Sequence, residues 1–126
     1  MIEELKIKLF GLQFVVNISD HLLHTIIIRD YKSNADIVKT KLKKVNSDSQ
    51  AGKNRIAADI LKLADKDINE LDALIIMAND DSRNIMMRAE YPGCAKIGFN
   101  KLNKKEIKQI YLDDLIKYSN WLNKEP

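Results

Sequence analysis

The stretch from Ile56 to Ala78 constrains the fold more than any other part of the chain, because it has the pattern of two helices joined by a very short turn. Its first half places apolar residues at the helical spacing i, i+1, i+4, i+5 and i+8, namely Ile56, Ala57, Ile60, Leu61 and Ala64. Its second half has a capping-box-like start and an apolar stripe, formed by Asp67, Glu70, Leu71, Leu74, Ile75 and Ala78. Only Asp65 and Lys66 precede that start, so the sequence predicts an antiparallel helical hairpin.

Further helices are predicted on both sides of this hairpin, each with a polar residue where an N-cap belongs. These capping residues are Ser19, Asn34, Asp80 or Asp81, and Asn103. The Asn34 helix should turn four apolar residues inward, Ile37, Val38, Leu42 and Val45. Pro92 should end the helix that begins near Asp81. Residues 46–54, NSDSQAGKN, have the composition of a loop, with Asn54 capping the helix that follows.

The N-terminal segment has a different period. Apolar and polar residues alternate on both sides of Gly11, which favours a pair of half-buried strands over residues 4–18. A helical interpretation of that segment stays open, as does a third strand over Thr25–Ile28, which is β-branched throughout. The fold class expected is therefore mainly α (α+β), with about five or six helices and an N-terminal β-strand pair. All of residues 1–126 should form one compact domain.

Composition narrows the class of protein. Apolar residues make up 45% and charged residues 31% of the chain, as in ordinary globular proteins. No apolar run approaches the roughly 20 residues of a membrane-spanning helix, so we expect no membrane partner. The lone Cys94 cannot form an internal disulfide, which favours a cytoplasmic location. Seventeen lysines against four arginines, with frequent Asn and Ile, suggest a bacterial or mobile-element origin.

The basic residues are clustered, although the net charge is only +3. Between Lys32 and Arg55, seven bases meet two acids, and between Lys96 and Lys108, five lysines meet one acid. Lys39, Lys43 and Lys44, on the outer face of the Asn34 helix, are the candidate phosphate-binding residues. No arginine or aromatic residue is interleaved with them for base recognition, so nucleic acid is expected to bind weakly.

The stretch NDDSRNIMMRAEYP, residues 79–92, concentrates charge and contains two of the four arginines. Arginine forms planar, bidentate pairs with carboxylates and phosphates, which lysine cannot. Arg55, Arg83 and Arg88 are therefore the candidate residues for binding an anion or a partner's carboxylate. Within the stretch itself, the seven-residue spacings predict that Arg88 lies near Asp81 and Arg83 near Glu90.

Signatures of catalysis and of cofactors are missing from the sequence, which has no CxxC, HExxH, GxGxxG or P-loop pattern. His21 and His24 have a spacing that can hold a metal but lack further ligands, so no metal and no cofactor is expected. The Gly-Lys pair of AGKNR, residues 51–55, is a weak phosphate-loop resemblance, and Cys94 is expected to be a buried or incidental thiol. No catalytic residue is predicted.

The leading hypothesis is a small non-catalytic interaction protein, an adaptor, an inhibitor or an immunity-type protein, that binds a protein partner. The first alternative is a nucleic-acid-associated regulator that uses the lysine clusters. The second is an enzyme that uses Arg83 or Arg88 with nearby carboxylates. A homodimer through residues 4–18 is also expected, because two strands leave unpaired edges.

Overall fold

The computed structural model describes residues 5–8, 13–97 and 104–125, and most of these are helical. The hairpin strands are β1, Leu5–Lys8, and β2, Gln13–Val16. The α-helices are α1, Asp20–Tyr31; α2, Ala35–Leu42; α3, Gln50–Ala64; α4, Leu71–Asp80; α5, Ser82–Glu90; α6, Pro92–Ile97; and α7, Lys104–Leu122. Short 3-10 turns, Lys32–Asn34 and Ile68–Glu70, precede α2 and α4. The prediction of a mainly helical fold is confirmed.

The strand pair is antiparallel, with Leu5 opposite Val16 and Lys8 opposite Gln13. Its side chains lie outside the described part of the chain. The packing of the strand pair on the helices, the dimer through it and the single-domain prediction therefore stay predictions. The same holds for the Asn103 cap, which also lies outside the described residues.

Helix α1 begins where its cap was predicted. The Ser19 hydroxyl accepts a hydrogen bond from the backbone N–H of Leu22 at 3.1 Å, which satisfies one of the free donors of the first turn. Ile26 and Ile27 lie in the core, whereas Ile28 is exposed. Because Thr25–Ile28 belongs to this helix, the third-strand alternative is wrong.

Helix α2 was predicted correctly in place but not in every contact. Asn34 occupies the cap position, but its side chain makes no capping hydrogen bond, because a 3-10 turn leads into the helix. Val38 and Leu42 are buried as expected, whereas Ile37 is 52% exposed. The helix buries a narrower face than its apolar residues alone suggested.

Helix α3 begins a full turn before its predicted start. The Ser49 hydroxyl accepts a hydrogen bond from the Gly52 N–H at 3.0 Å, and the helix continues from Gln50. The predicted loop over residues 46–54 is therefore wrong at its C-terminal end, and Asn54 is a buried helical residue rather than a cap.

Replacing Ser49 by alanine should lower the free energy of unfolding by about 1 kcal/mol, the usual contribution of an N-cap hydrogen bond. Urea unfolding followed by circular dichroism measures this loss. Ser47→Ala is the matched control, since Ser47 lies in the same segment and caps no helix. Equal stabilities of the two variants would show that the helix does not depend on the Ser49 cap.

The predicted hairpin of α3 and α4 is present, since the two helices pack against each other across a tight turn. Asp65 and Lys66 reverse the chain with positive φ angles of 48° and 72°. The Asp67 side chain then accepts from the N–H of Asn69 at 3.0 Å. Helix α3 also packs against α1 and α5, so it lies at the centre of the core.

Helix α7 covers this core with its C-terminal half, through Leu115, Tyr118 and Leu122. Tyr118 is fully buried and Trp121 packs against the core, so both residues anchor α7. The ring centroids of these two residues are 5.9 Å apart.

Candidate functional site

The candidate Arg55 lies in a buried ionic cluster rather than at an open binding surface. Its Nε donates to Glu90 Oε2 at 2.7 Å, and its Nη2 donates to Glu90 Oε1. Glu90 is 0% exposed, so α5 holds one carboxylate on its buried side with Ile85 and Ala89. The predicted Arg83–Glu90 pair is therefore wrong. Glu90 faces α3, where the long, partly buried side chain of Arg55 neutralises its charge.

A second carboxyl group, that of Asp59, completes this cluster and is also 0% exposed. The Tyr118 hydroxyl donates to Asp59 Oδ1 at 2.5 Å, while Oδ2 has no donor. Burial, followed by the hydrogen bond and charge of Glu90, raises the pKa of Asp59 well above its ordinary value. The raised pKa of Asp59 favours a proton on this carboxyl group, and that proton can be shared with Glu90 through Oδ2, which accepts no hydrogen bond from the described residues.

This carboxyl pair has no access to solvent, since Asp59, Glu90 and Tyr118 are all 0% exposed. A substrate cannot reach reacting groups that lie inside the packed core. The role of the cluster is structural, because its hydrogen bonds join α3 to α5 and to α7.

The other two candidate arginines lie on the surface. Arg83 pairs with Asp81, with an Nε–Oδ1 distance of 3.1 Å and 85% of the Arg83 side chain exposed. Asp81 also caps α5 by accepting from the Arg83 N–H, and these two bonds lower the pKa of the Asp81 carboxyl. Arg88 Nη1 donates to Met77 Sδ at 3.3 Å, so the predicted Asp81–Arg88 pair is wrong. Asp81 pairs instead with Arg83, in the first turn of α5.

Two of the candidate lysines meet at an open cavity between α1, α2 and α3. The cavity has a volume of about 250 Å³. Lys39 and Lys43 line it together with Lys53, and we call it the lysine cavity. Its other lining residues are Leu23, Ile27, Leu42, Gln50, Asn54 and Ala57. Lys44, the remaining candidate, is exposed and is not among these lining residues.

Among the described residues, no carboxylate neutralises the three ammonium groups of the lysine cavity. Within the described ranges, none of Lys39, Lys43 and Lys53 forms an ion pair. Lys41, which lies on α2 like Lys39, does form an ion pair, since its Nζ lies 2.9 Å from Asp72 Oδ2 on α4. The cavity thus gathers positive charge on one side of α2, while the helix's other lysine is paired.

The lining between these lysines is largely apolar and fixed in place. Ile27 is buried in the core, and so are Leu42 and Ala57. Asn54 is held on three sides, since its Nδ2 donates to Ile18 O at 3.0 Å and to Asp20 Oδ1 at 2.7 Å, and its Oδ1 accepts from Gln50 at 2.9 Å. A ligand here meets positive charge at the rim and apolar surface beneath it.

Sequence reasoning identified Lys39 and Lys43 but assigned Lys53 to a loop. The missed signal is the spacing of Gln50, Lys53, Asn54 and Ala57, which is helical once α3 is begun at Gln50. The Gly-Lys pair of residues 52 and 53 lies inside the first turns of α3 and forms no phosphate loop.

The two histidines and the cysteine, which could bind a metal or act as a nucleophile, are not among the lining residues of this cavity. His21 and His24 are exposed on α1, and the described side chains contain no group of three or more acidic, His or Cys residues that could hold a metal. Cys94 is buried, as expected, and burial followed by the charge of Asp114 raises the pKa of its thiol to about 11. A thiol with that pKa stays protonated at neutral pH and is a poor nucleophile.

Over the described part of the chain, every helix is too short or too polar to cross a membrane. Comparison of the chain with protein-family models, with curated proteins and with solved structures finds no match.

Proposed function

We propose that this is a small non-catalytic interaction protein whose lysine cavity receives an acidic segment of a protein partner. The observation that carries the proposal is a set of three lysines around an apolar floor, none of which forms an ion pair with a described residue. An ammonium group near apolar surface gains most from an anion that brings its own apolar neighbour, because the contact then excludes water from both. An Asp or Glu beside a Leu, Ile or Phe has this combination.

The size of the cavity supports a side chain as the occupant. A volume of about 250 Å³ accommodates one or two side chains of a partner, and its mouth is open to solvent. The apolar floor contributes burial and the lysines fix the orientation, which is the usual division between affinity and specificity at an interface.

A protein partner fits these features better than nucleic acid does. The lining residues that the structure describes include no aromatic side chain on which a base could stack. The lysines surround a concave apolar floor, whereas a phosphate backbone is met along an extended basic surface. Duplex DNA should therefore bind only weakly, with an affinity that falls as salt rises.

Selection of a displayed random-peptide library on the purified protein tests the proposal. We expect recovered peptides to share an acidic residue next to a large apolar one, and to bind in fluorescence polarisation. Lys39→Glu or Lys43→Glu should weaken that binding by roughly tenfold or more, since a paired charge becomes a like charge.

Lys44→Glu is the matched control, because it makes the same change of net charge beside Lys43 but outside the cavity. Its effect should be small and should vanish at higher salt. Peptides without acidic residues, or equal losses in Lys43→Glu and Lys44→Glu, would contradict the proposal. Sequence-selective DNA binding at physiological salt would favour the regulator instead.

An adaptor, an inhibitor and an immunity-type protein all act through binding of this kind. A bacterial or mobile-element origin, a cytoplasmic location and a homodimer belong to the same proposal. They rest on the lysine-rich composition, the lone Cys94 and the unpaired edges expected of the strand pair.

A further inference from the structure

A second cavity, of about 350 Å³, lies where the end of α1 meets the turn after α3 and the segment after α7. We call it the polar cavity. It is lined by Arg29, Asp30, Tyr31, Lys32, Ser33, Lys66, Lys124 and Glu125, and it shares no lining residue with the lysine cavity. Its described lining residues are all charged or carry a hydroxyl group, so they offer a ligand charge and hydrogen bonds.

One wall of the polar cavity is a rigid, neutral pair. Arg29 donates from Nε and Nη2 to the two carboxylate oxygens of Asp30, at 2.7 and 2.9 Å. Its Nη1 donates to the backbone oxygen of Trp121 at 2.7 Å and to that of Lys124 at 3.2 Å. All three nitrogens of the guanidinium are thus engaged, and the Asp30 charge is already matched. Neither residue is available to bind a ligand's charge.

The remaining charge in the lining is positive. Lys32, Lys66 and Lys124 contribute three ammonium groups, and Glu125 is the single acid left among the lining residues. None of these three lysines has an ion-pair partner among residues 17–97 and 104–125 as far as the structure describes them. In the lining, three ammonium groups against Glu125 favour a negatively charged ligand. Asp65 and Asp67 are not lining residues, but their charges act on the Tyr31 hydroxyl together with that of Asp30.

Tyr31 supplies an independent observation that points to a ligand. It lines the cavity and is only 6% exposed, yet its hydroxyl has no hydrogen-bond partner. The Lys66 backbone N–H approaches the hydroxyl without reaching hydrogen-bond geometry. Buried hydroxyl groups without a partner are rare because they lose their bonds to water. Burial, followed by the charge of Asp30, raises the pKa of Tyr31 to about 12, so the hydroxyl keeps its proton and can donate it to an acceptor.

The backbone at two of the lysines is strained. Lys32 has φ 47° and ψ −113°, and Lys66 has φ 72°. Residues other than glycine rarely adopt such positive φ angles. Strain of this kind persists where the surrounding structure enforces it, and it is concentrated at ligand sites. Here it occurs at two of the three lysines that line the polar cavity.

We propose that the polar cavity binds a small phosphorylated molecule, with Lys32, Lys66 and Lys124 around the phosphate and the Tyr31 hydroxyl donating to it. A phosphate dianion matches three ammonium point charges and offers several acceptor oxygens at once. Ser33, also in the lining, is a further hydroxyl donor. The volume leaves room for a polar group attached to the phosphate.

Titration with inorganic phosphate at constant ionic strength tests the site. Trp121 is the only tryptophan, and the Arg29 guanidinium carbon lies 5.2 Å from its ring centroid, so its fluorescence reports on the cavity wall. We expect a saturable change with phosphate and none with chloride. A saturable change with succinate but not with phosphate would overturn the phosphate assignment.

Tyr31→Phe separates binding from structure. If the hydroxyl serves a ligand, this variant should bind phosphate roughly tenfold more weakly. Its melting temperature should be unchanged or raised, because a buried hydroxyl without a partner is removed. Undiminished binding, or a melting temperature lowered with binding intact, would overturn the proposal.

Lys66→Gly should also change stability and phosphate binding in opposite directions. Glycine adopts positive φ freely, so the variant should melt higher, while the lost charge should weaken phosphate binding roughly tenfold. Lys105→Gln, an exposed residue of α7 that does not line the cavity, is the matched control for net charge and should bind as the parent does. Equal weakening in Lys66→Gly and Lys105→Gln would show a general charge effect and overturn the site.

Discussion

Arg55→Met is expected to lower the free energy of unfolding by about 3 kcal/mol, the lower end of the range for breaking a buried ion pair. The variant leaves Glu90 buried at 0% exposure without its cation. The lower end applies because 27% of the Arg55 side chain remains exposed and screened by solvent. Methionine preserves most of the apolar volume, so the loss measures the charge and its hydrogen bonds. Urea unfolding at neutral pH gives the value.

Arg83→Met is the matched control, because Arg83 also has a carboxylate partner but is 85% exposed. It should leave the urea midpoint nearly unchanged. Adding Glu90→Leu to Arg55→Met should recover much of the loss, since an apolar pair then replaces an unpaired charge. An Arg55→Met midpoint as high as that of Arg83→Met would mean that Glu90 reaches water, which contradicts its burial.

Most of the helices could be predicted because each has an apolar stripe of helical period, whereas the short α6, Pro92–Ile97, was not predicted. The α3–α4 hairpin is the clearest case, since its stripes and its short polar turn are all local features. Details decided by neighbouring helices could not be predicted in this way. Ile37 is exposed because the elements around α2 cover Val38 and Leu42 instead, and no local pattern distinguishes Ile37 from them.

The start of α3 was missed for a related reason. Ser, Asn, Gln and Gly are frequent in residues 46–54, and this composition is typical of loops. Tertiary hydrogen bonds favour the helix instead, because Asn54 donates to Asp20, the first residue of α1, and to the backbone oxygen of Ile18 before it. Because residues 46–54 were predicted to be a loop, Lys53 was not predicted to lie beside Lys39 and Lys43. The lysine cavity could therefore be predicted only in part, through Lys39 and Lys43.

The buried ionic cluster could not be predicted, because its members are 35 and 59 residues apart in the pairs Arg55–Glu90 and Asp59–Tyr118. Asp59 does not belong to the predicted apolar stripe of α3, so no pattern in the sequence indicated that it is buried. The arginine-rich stretch drew attention to surface residues, whereas the buried acid of that stretch was the one with a structural role.

The cluster also bears on how the surface sites are held. Glu90 and Asp59 join α5 and α7 to α3, and α3 carries Lys53, Asn54 and Ala57 to the lysine cavity. A cavity needs fixed walls to discriminate between ligands. The ionic cluster at the centre of α3 and the Asn54 hydrogen bonds near its start together fix one wall.

Asp59 is expected to make the protein less stable as pH rises above about 4, where the unfolded chain begins to ionise its aspartates. In the folded protein, burial and Glu90 raise the pKa of Asp59, so the folded state keeps a proton that the unfolded state releases. A group with a raised folded pKa contributes its full stability below the unfolded pKa and loses it as pH rises through the folded pKa. The loss should be about 1.4 kcal/mol per pH unit between the two pKa values.

Asp59→Asn should remove this dependence and, at neutral pH, raise the melting temperature. The amide oxygen can still accept from Tyr118, and the amide nitrogen can donate to Glu90, without any proton uptake. The measurement is the difference in unfolding free energy between variant and parent from about pH 5 to pH 8, in which groups common to both proteins cancel. Asp48→Asn, at an exposed position before α3, is the control and should give a difference near zero throughout. A difference for Asp59→Asn that stays constant with pH would mean that Asp59 is ionised in the fold, and that Arg55 neutralises both carboxylates rather than Glu90 alone.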